Sequence, residues 1–367
     1  MQRRGWTQIY YKRYKKIRLN PRLCKANQYN LRLILDNENK LIMRFFQDFK
    51  FKFVLSLLLL SFIVNAQKNN LAQTFYKHDK YLSSDKLEGR FPGTKGNNDA
   101  AAYIKKYFKK YVLQQFNKNY YQSFKLFVKE GINKAKSDSV STQNVLGFIE
   151  GSDENLKNEF IVIGAHYDHW GWGGKGSGSK KKDTVAIHNG ADDNASGVSA
   201  LLCILEKVSK AKIKPKRSII FISFSGEEEG LLGSKYFVNH LPVKKEAVKV
   251  MLNMDMVGRL NAEKQIYMGG AGTFPNGVEL MKKLGENSGL NPVVFAGDVG
   301  GSDHVSFYKA SISAIGLHTG GHPQYHTPED DIDLINFEGG ALVSEYIYNA
   351  LISIANYDEE LVFIKQN

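Results

Sequence analysis

The stretch FIVIGAHYDHWG, residues 160–171, opens with six apolar or small residues and then turns to His166 and Asp168. An unbroken apolar run of that length suits a strand buried on both faces, as in a parallel sheet beneath helices. The same grammar recurs downstream. SIIFISFS (218–225) precedes Glu227, Glu228 and Glu229, and VKVMLNM (248–254) precedes Asp255. ISAIGL (312–317) leads into HTGGHPQYHTPED, which carries His322, Tyr325 and His326. Amphipathic helical patterns alternate with these runs. Ser196–Ser209 places Val198, Leu201, Leu202, Leu205 and Val208 on one stripe, and Leu231–Leu241, Val278–Gly289 and residues 337–356 read likewise. Upstream, residues 71–116 read as helical with a break at LEGRFPGTKGN (87–97), and Gln122–Val128 and Gln143–Gly151 read as strands. The alternation predicts an α/β fold, a mixed, mostly parallel central β-sheet flanked by helices on both faces. GWGGKGSGSKKKD (171–183) reads as a polar, Gly-rich surface loop. It is no phosphate-binding loop, because no Lys-Ser/Thr follows its glycines at the required offset.

The net charge of +13 over 367 residues resembles a nucleic-acid signature, but its distribution argues otherwise. Residues 1–66 hold 14 Lys/Arg and 3 Asp/Glu, leaving 36 against 34 for residues 67–367, a net of +2. No nucleic-acid partner is expected. From Met43 the leader carries Arg44, Lys50 and Lys52, then 12 mostly apolar residues from Phe53 to Val64, then Val64-Asn65-Ala66. That is the pattern of a secretory signal peptide cleaved after Ala66, and the run is short for a membrane span of about 20 residues. The expected organisation is a 1–42 extension that is disordered or untranslated, a signal peptide over 43–66, and a single domain over 67–367. A secreted or periplasmic location follows, with no stable membrane span after cleavage. The mature chain keeps one cysteine, Cys203, so no internal disulfide forms.

Ligands in open α/β sheets bind beyond the carboxyl ends of strands. Four strand ends here deliver His166, Glu227 with Glu228, Asp255, and His322 with His326. HNGADDNASG (188–197) adds Asp192 and Asp193 on a turn into a helix. Each motif alone has an ordinary structural use, "DD" as a helix cap and "EEE" as a solvated charge run. Together they form an imidazole–carboxylate set suited to zinc, and a dication removes the repulsion that so many carboxylates would otherwise suffer.

The chain resembles the zinc-dependent exopeptidases of the M28 peptidase family, the aminopeptidase group with two co-catalytic zinc ions. The matching stretches are LEGRFPGTKGN, NVLGFIEG, IVIGAHYDHWG, NGADDNASGV, FSGEEEGLLGSKYF, LNMDMVGR, GGSDHVSF and YHTPEDDID, in the family's order over roughly residues 80–340. The resemblance implies the zinc-exopeptidase architecture and two Zn2+ per chain. It implies His166 and Asp255 on one metal, Glu228 and His326 on the other, and Asp192 bridging both. Asp193 then follows across a cis peptide, and Asp168 orients His166 from behind. It further implies Glu227 as general base and Tyr325 at a position where some relatives keep an oxyanion-stabilising tyrosine. His322, His169 and the pair Asp303-His304 read as loop or supporting residues.

The expected activity is hydrolysis of the N-terminal peptide bond of peptide substrates. Aminopeptidase is favoured over carboxypeptidase by the resemblance alone. The alternatives are a mono-zinc glutaminyl cyclase on the same scaffold and a non-enzymatic binding ectodomain. A serine hydrolase is disfavoured by the lack of a G-x-S-x-G elbow. Oligomeric state is left open.

Overall fold

The computed structural model describes residues 70–111, 113–127 and 139–366. The readings of the leader, its signal peptide and Val128 lie outside the described residues. In chain order the elements are helix α1 (70–82), a 3-10 segment at Asp85–Arg90, α2 (Lys95–Lys110), β1 (Tyr121–Phe127), β2 (Ser139–Ile149) and β3 (Phe160–His166). Then follow α3 (Gly197–Lys210), β4 (Ser218–Phe224), α4 (Leu232–Asn239), β5 (Val248–Met254), β6 (Gln265–Gly269) and α5 (Gly277–Gly285). β7 (Asn291–Val294), α6 (His304–Lys309), β8 (Ser313–His318) and α7 (Phe337–Ala355) complete the order.

The eight strands form one sheet in the order β1-β2-β4-β3-β5-β8-β6-β7. β4, β3, β5 and β8 are mutually parallel, whereas β1, β2 and β6 join antiparallel. The fold is α/β, mixed and mostly parallel at its centre, as the apolar runs predict. The sequence pattern did not single out β6 and β7. They are five and four residues long, β7 contains Pro292, and none of its residues is fully buried.

The strict period of two sorts each central strand between two cores. Ile161, Ile163, Ile219, Phe221, Val250 and Leu252 face a layer that includes Ile104, Leu201, Leu205, Ile347 and Leu351 from α2, α3 and α7. Val162, Ile220, Ile222, Phe224 and Met251 face Phe237 and Phe307 from α4 and α6. Gly164 is required on the second face, because a Cβ there would lie 2.8 Å from the Phe224 ring. Among the described residues no helix is long and apolar enough to cross a membrane.

One buried side chain ties the early helices to the functional edge. Arg90, fully buried, donates from Nε to the Tyr167 carbonyl at 2.7 Å and from Nη1 to those of Leu82 (2.5 Å) and Asn189 (2.6 Å). Its Nη2 donates to the Gly190 carbonyl at 3.1 Å. Burial lowers its pKa to about 10, with Asp79, Asp168 and Asp193 opposing, so the guanidinium stays charged at neutral pH. It thus links the chain just after His166 to the chain just before Asp192. Arg90→Met leaves those carbonyls unpaired in the interior and should cost at least about 3 kcal/mol. Urea denaturation checks this, and a loss below about 1 kcal/mol would show that the strut is dispensable.

Candidate metal centre

Because β3, β4, β5 and β8 are parallel, their carboxyl ends share an edge. His166 ends β3, Glu227 and Glu228 follow β4, Asp255 follows β5, and the 319–326 segment follows β8. The turn before α3 closes the site. Asp330 accepts the backbone N–H of Asp192 at 3.1 Å and of Asp193 at 3.0 Å. Asn194 clamps the turn to the end of β5. Its amide donates to the Met254 carbonyl at 2.9 Å, and its oxygen accepts from Gly197 N–H at 3.0 Å and Met256 N–H at 3.2 Å. Ser196 Oγ accepts from Val257 N–H and donates to the Asp192 carbonyl. Two ligand-bearing segments, distant in sequence, are thereby stitched together.

Asp193 sits at the centre. Its Oδ1 is 3.3 Å from His166 Nε2, and its Oδ2 is 3.1 Å from His326 Nε2. Asp255 Oδ1 is 3.5 Å from His166 Nε2, and Glu228 Oε2 is 3.2 Å from His326 Nε2. Donors about 2.05 Å from a tetrahedral ion stand about 3.3 Å apart, so both sets have the spacing of a zinc-class site. His166 Nε2 and Asp255 Oδ1 are buried without a hydrogen-bond partner, which a cation between them would supply. His166, Asp193 and Asp255 form one group that could hold a divalent ion, and His169, Asp193 and Glu228 another, with His326 against the same two carboxylates.

The electrostatics point the same way. Burial pushes the Glu227 carboxyl well above the ordinary range, aided by Glu228, Asp255 and Asp303 and opposed by His166. Burial would lower the His166 pKa, but Glu227, Asp255 and Asp193 raise it well above the usual value. For His326 burial again lowers, but Asp193 and Glu228 carry the pKa up to about 10. Asp193 is held low by the two histidines despite its burial. The carboxylates thus demand positive charge, and a metal ion would take the place of those protons.

Two expectations need correction. Asp192 is not the shared carboxylate. It is fully buried, its Oδ1 accepts from Gly258 N–H at 2.7 Å, and its Oδ2 faces His322 Nε2 at 3.3 Å. The carboxylate between the two histidines belongs to Asp193, and the cis peptide is Asp193–Asn194, not Asp192–Asp193. Neighbouring side chains leave this turn in different directions. The contacts that choose between them come from residues 258, 322 and 330. The Gly-rich loop is also more than surface. Ser179 is fully buried against His188 Nε2 at 2.7 Å, and Lys180 N–H donates to the His326 carbonyl at 2.9 Å. That bond helps hold His326 at a φ of +59°, a left-handed conformation uncommon outside glycine.

The remaining expected residues fall around this centre. Asp168 is fully buried, and its carboxylate accepts the N–H groups of Glu227 (3.2 Å) and Glu228 (3.4 Å). His166 Nδ1 lies closer to the Asp168 carbonyl (3.2 Å) than to its carboxylate (3.7 Å). Asp168 therefore positions both glutamates as well as the histidine. Glu227 Oε2 stands 4.0 Å from His166 Nε2, farther than Asp193 Oδ1 and Asp255 Oδ1. Tyr325 stacks on the His326 ring at 3.7 Å and has Lys180 over its face at 4.4 Å. With Asp255, Tyr325 borders a cavity of about 420 Å³ whose walls include Met256, Tyr267, Phe295 and Leu317. His169 is fully buried beside Glu228, and His322, half-buried, lies beside Asp192, so both stand in supporting positions around the centre. The H-Y-D-H spacing was the available signal for His169.

An α/β scaffold with a divalent-cation site at the carboxyl edge of its sheet defines a class, and comparison supplies the family. A model described as Peptidase family M28 matches residues 144–351, and the chain belongs to that family. It is 33% identical over 238 residues to aminopeptidase YwaD of Bacillus subtilis (strain 168), covering 61% of this chain and 48% of that protein. Leucine aminopeptidase 2 of Trichophyton rubrum is 29% identical over 235 residues, covering 61% and 42%. The chain spans about half the length, or less, of these curated relatives. By fold it resembles the LapA aminopeptidase of Legionella pneumophila (TM-score 0.59, 24% identity, 82% of this chain and 76% of that one). It also resembles BSAP, a zinc aminopeptidase from Bacillus subtilis (TM-score 0.57, 20% identity, 76% and 95%).

With Zn2+ as probe, Asp193→Ala should weaken binding more than about 100-fold, because it removes a donor common to both sets. Asp192→Ala should fall within the about 10–100-fold range of a supporting residue. Competition against a chelator of known affinity measures both, and the reverse ranking would restore Asp192 to the shared position.

Proposed function

We propose that this chain is an exported two-zinc aminopeptidase that hydrolyses the N-terminal peptide bond of peptides. The observation that carries the reading is the pair of donor sets meeting at Asp193, His166 with Asp255 and His326 with Glu228, at tetrahedral-edge spacing. Membership of peptidase family M28 supports hydrolysis, and relatives named aminopeptidases support the N-terminal preference. The apolar run Phe53–Val64 behind a basic segment supports export and cleavage after Ala66, and residues 67–367 would be the mature domain.

Zinc held by these five side chains supplies Lewis acidity and a water whose pKa is brought toward about 7. The protein's own groups do the rest. Glu227 lies beside the donor sets without joining them, so its carboxylate is free to accept a proton from water and deliver it to the departing amine. Asp168 fixes the backbone that aims Glu227. Tyr325 borders the cavity, and in this reading its hydroxyl donates to the oxygen that gains negative charge. The cavity's apolar wall of Met256, Phe295 and Leu317 suits the side chain of the substrate's first residue.

Metal content and hydrolysis of an aminoacyl-p-nitroanilide panel by residues 67–367 test this reading together. About two zinc per chain and chelator-sensitive release of p-nitroaniline are expected. One zinc without hydrolysis would point to glutamine cyclisation instead. Glu227→Gln should keep its metal and lose about 10²–10⁴ in kcat. An unchanged kcat would remove Glu227 as the base.

A further inference from the structure

His169 is fully buried three residues beyond His166, on the segment leaving β3. Its Nδ1 lies 2.6 Å from Glu228 Oε1 and 3.8 Å from Asp193 Oδ2. Its ring stands 5.9 Å from that of His326. It therefore reaches the same carboxylates as the second donor set. Two roles are open to an imidazole there: a fourth ligand, or a donor that holds a ligand in place.

The distances separate them. Two ligands of one tetrahedral zinc-class ion stand about 3.3 Å apart, and His326 meets Asp193 and Glu228 at 3.1 and 3.2 Å. His169 and Glu228 at 2.6 Å are too close for that edge and suit a short charge-assisted N–H···O bond. The two oxygens of Glu228 are also divided. Oε1 takes His169, and Oε2 faces His326. The ring has little freedom to swing toward the ion. Gly190 adopts φ +54° against it, and a Cβ there would lie 2.5 Å from the ring carbons. Arg90 holds the Gly190 carbonyl, so the same anchored turn that carries Asp193 also packs against His169.

We propose that His169 is a positioning residue for the second metal site, donating from Nδ1 to Glu228 Oε1 so that Oε2 and His326 Nε2 converge on the ion. The inference rests on the two-metal reading above. A carboxylate fixed by one oxygen has lost most of its rotamer freedom before metal arrives, so the second ion binds a prepared site. His169→Ala frees Glu228 to turn. Asparagine keeps an N–H near the Nδ1 position and should restore the bond.

The experiment is a Zn2+ titration of metal-free protein against a chromophoric chelator, on wild type, His169→Ala and His169→Asn. Thermal unfolding of each metal-free variant checks the fold. Wild type should bind two Zn2+. His169→Ala should bind the first normally and the second about 10–100-fold more weakly, with His169→Asn within about threefold of wild type. Two unaltered sites in His169→Ala would overturn the inference while sparing the two-metal reading. Loss of the second ion in His169→Asn as complete as in His169→Ala would make the imidazole itself a ligand, which also overturns it. A wild type that binds no Zn2+ would end both. Should His169→Ala fail to fold, a crystal structure of zinc-loaded wild type decides. A zinc–nitrogen bond of about 2.1 Å to His169 contradicts the assignment, and an Nδ1–Glu228 bond without one supports it.

Discussion

Mutual repulsion among crowded carboxylates is the constraint on which the rest of this structure depends. Asp193, Glu227, Glu228 and Asp255 meet at one edge of the sheet within reach of His166 and His326. Water cannot screen such a cluster well, and burial together with Glu228, Asp255 and Asp303 pushes Glu227 well above its ordinary range against the opposing His166. Positive charge among the carboxylates relieves that repulsion. In the proposed reading a pair of divalent ions would supply that charge, held by the residues that repel without it.

Holding this cluster in place has shaped the surrounding interior. Most segments that carry the site have their backbone bound by a buried polar side chain. Asp330 holds Asp192 and Asp193, Asp168 holds Glu227 and Glu228, Asn194 holds the end of β5, and Arg90 holds the chain on both sides. These partners lie far apart in sequence, so the site exists only once the whole sheet has formed. The apolar cores on both faces provide the rigid frame, and the polar residues set the final fraction of an ångström. The Gly-rich loop joins this scheme through Lys180 and the His326 carbonyl.

Much of this was readable in the chain itself, for physical reasons. Strands buried on both faces must be apolar throughout, so β3, β4, β5 and β8 stand out, and the polar residue after each marks the edge where they end. The choice between Asp192 and Asp193 was not readable. Adjacent residues on a turn have no fixed facing, and the contacts that settle it come from Gly258, His322 and Asp330. His169 was hidden for a related reason. A histidine after a strand looks like a loop residue until Glu228, 59 positions away, is seen beside it. The short strands β6 and β7 escaped because an edge strand needs neither length nor continuous apolar character.

The most direct test of this account is an anomalous difference map at the zinc edge from crystals of the zinc-loaded protein. The account predicts two peaks about 3.5–4 Å apart. One should lie between His166 and Asp255, the other between His326 and Glu228, with one oxygen of Asp193 toward each. A single peak, or two peaks joined by Asp192, would contradict it.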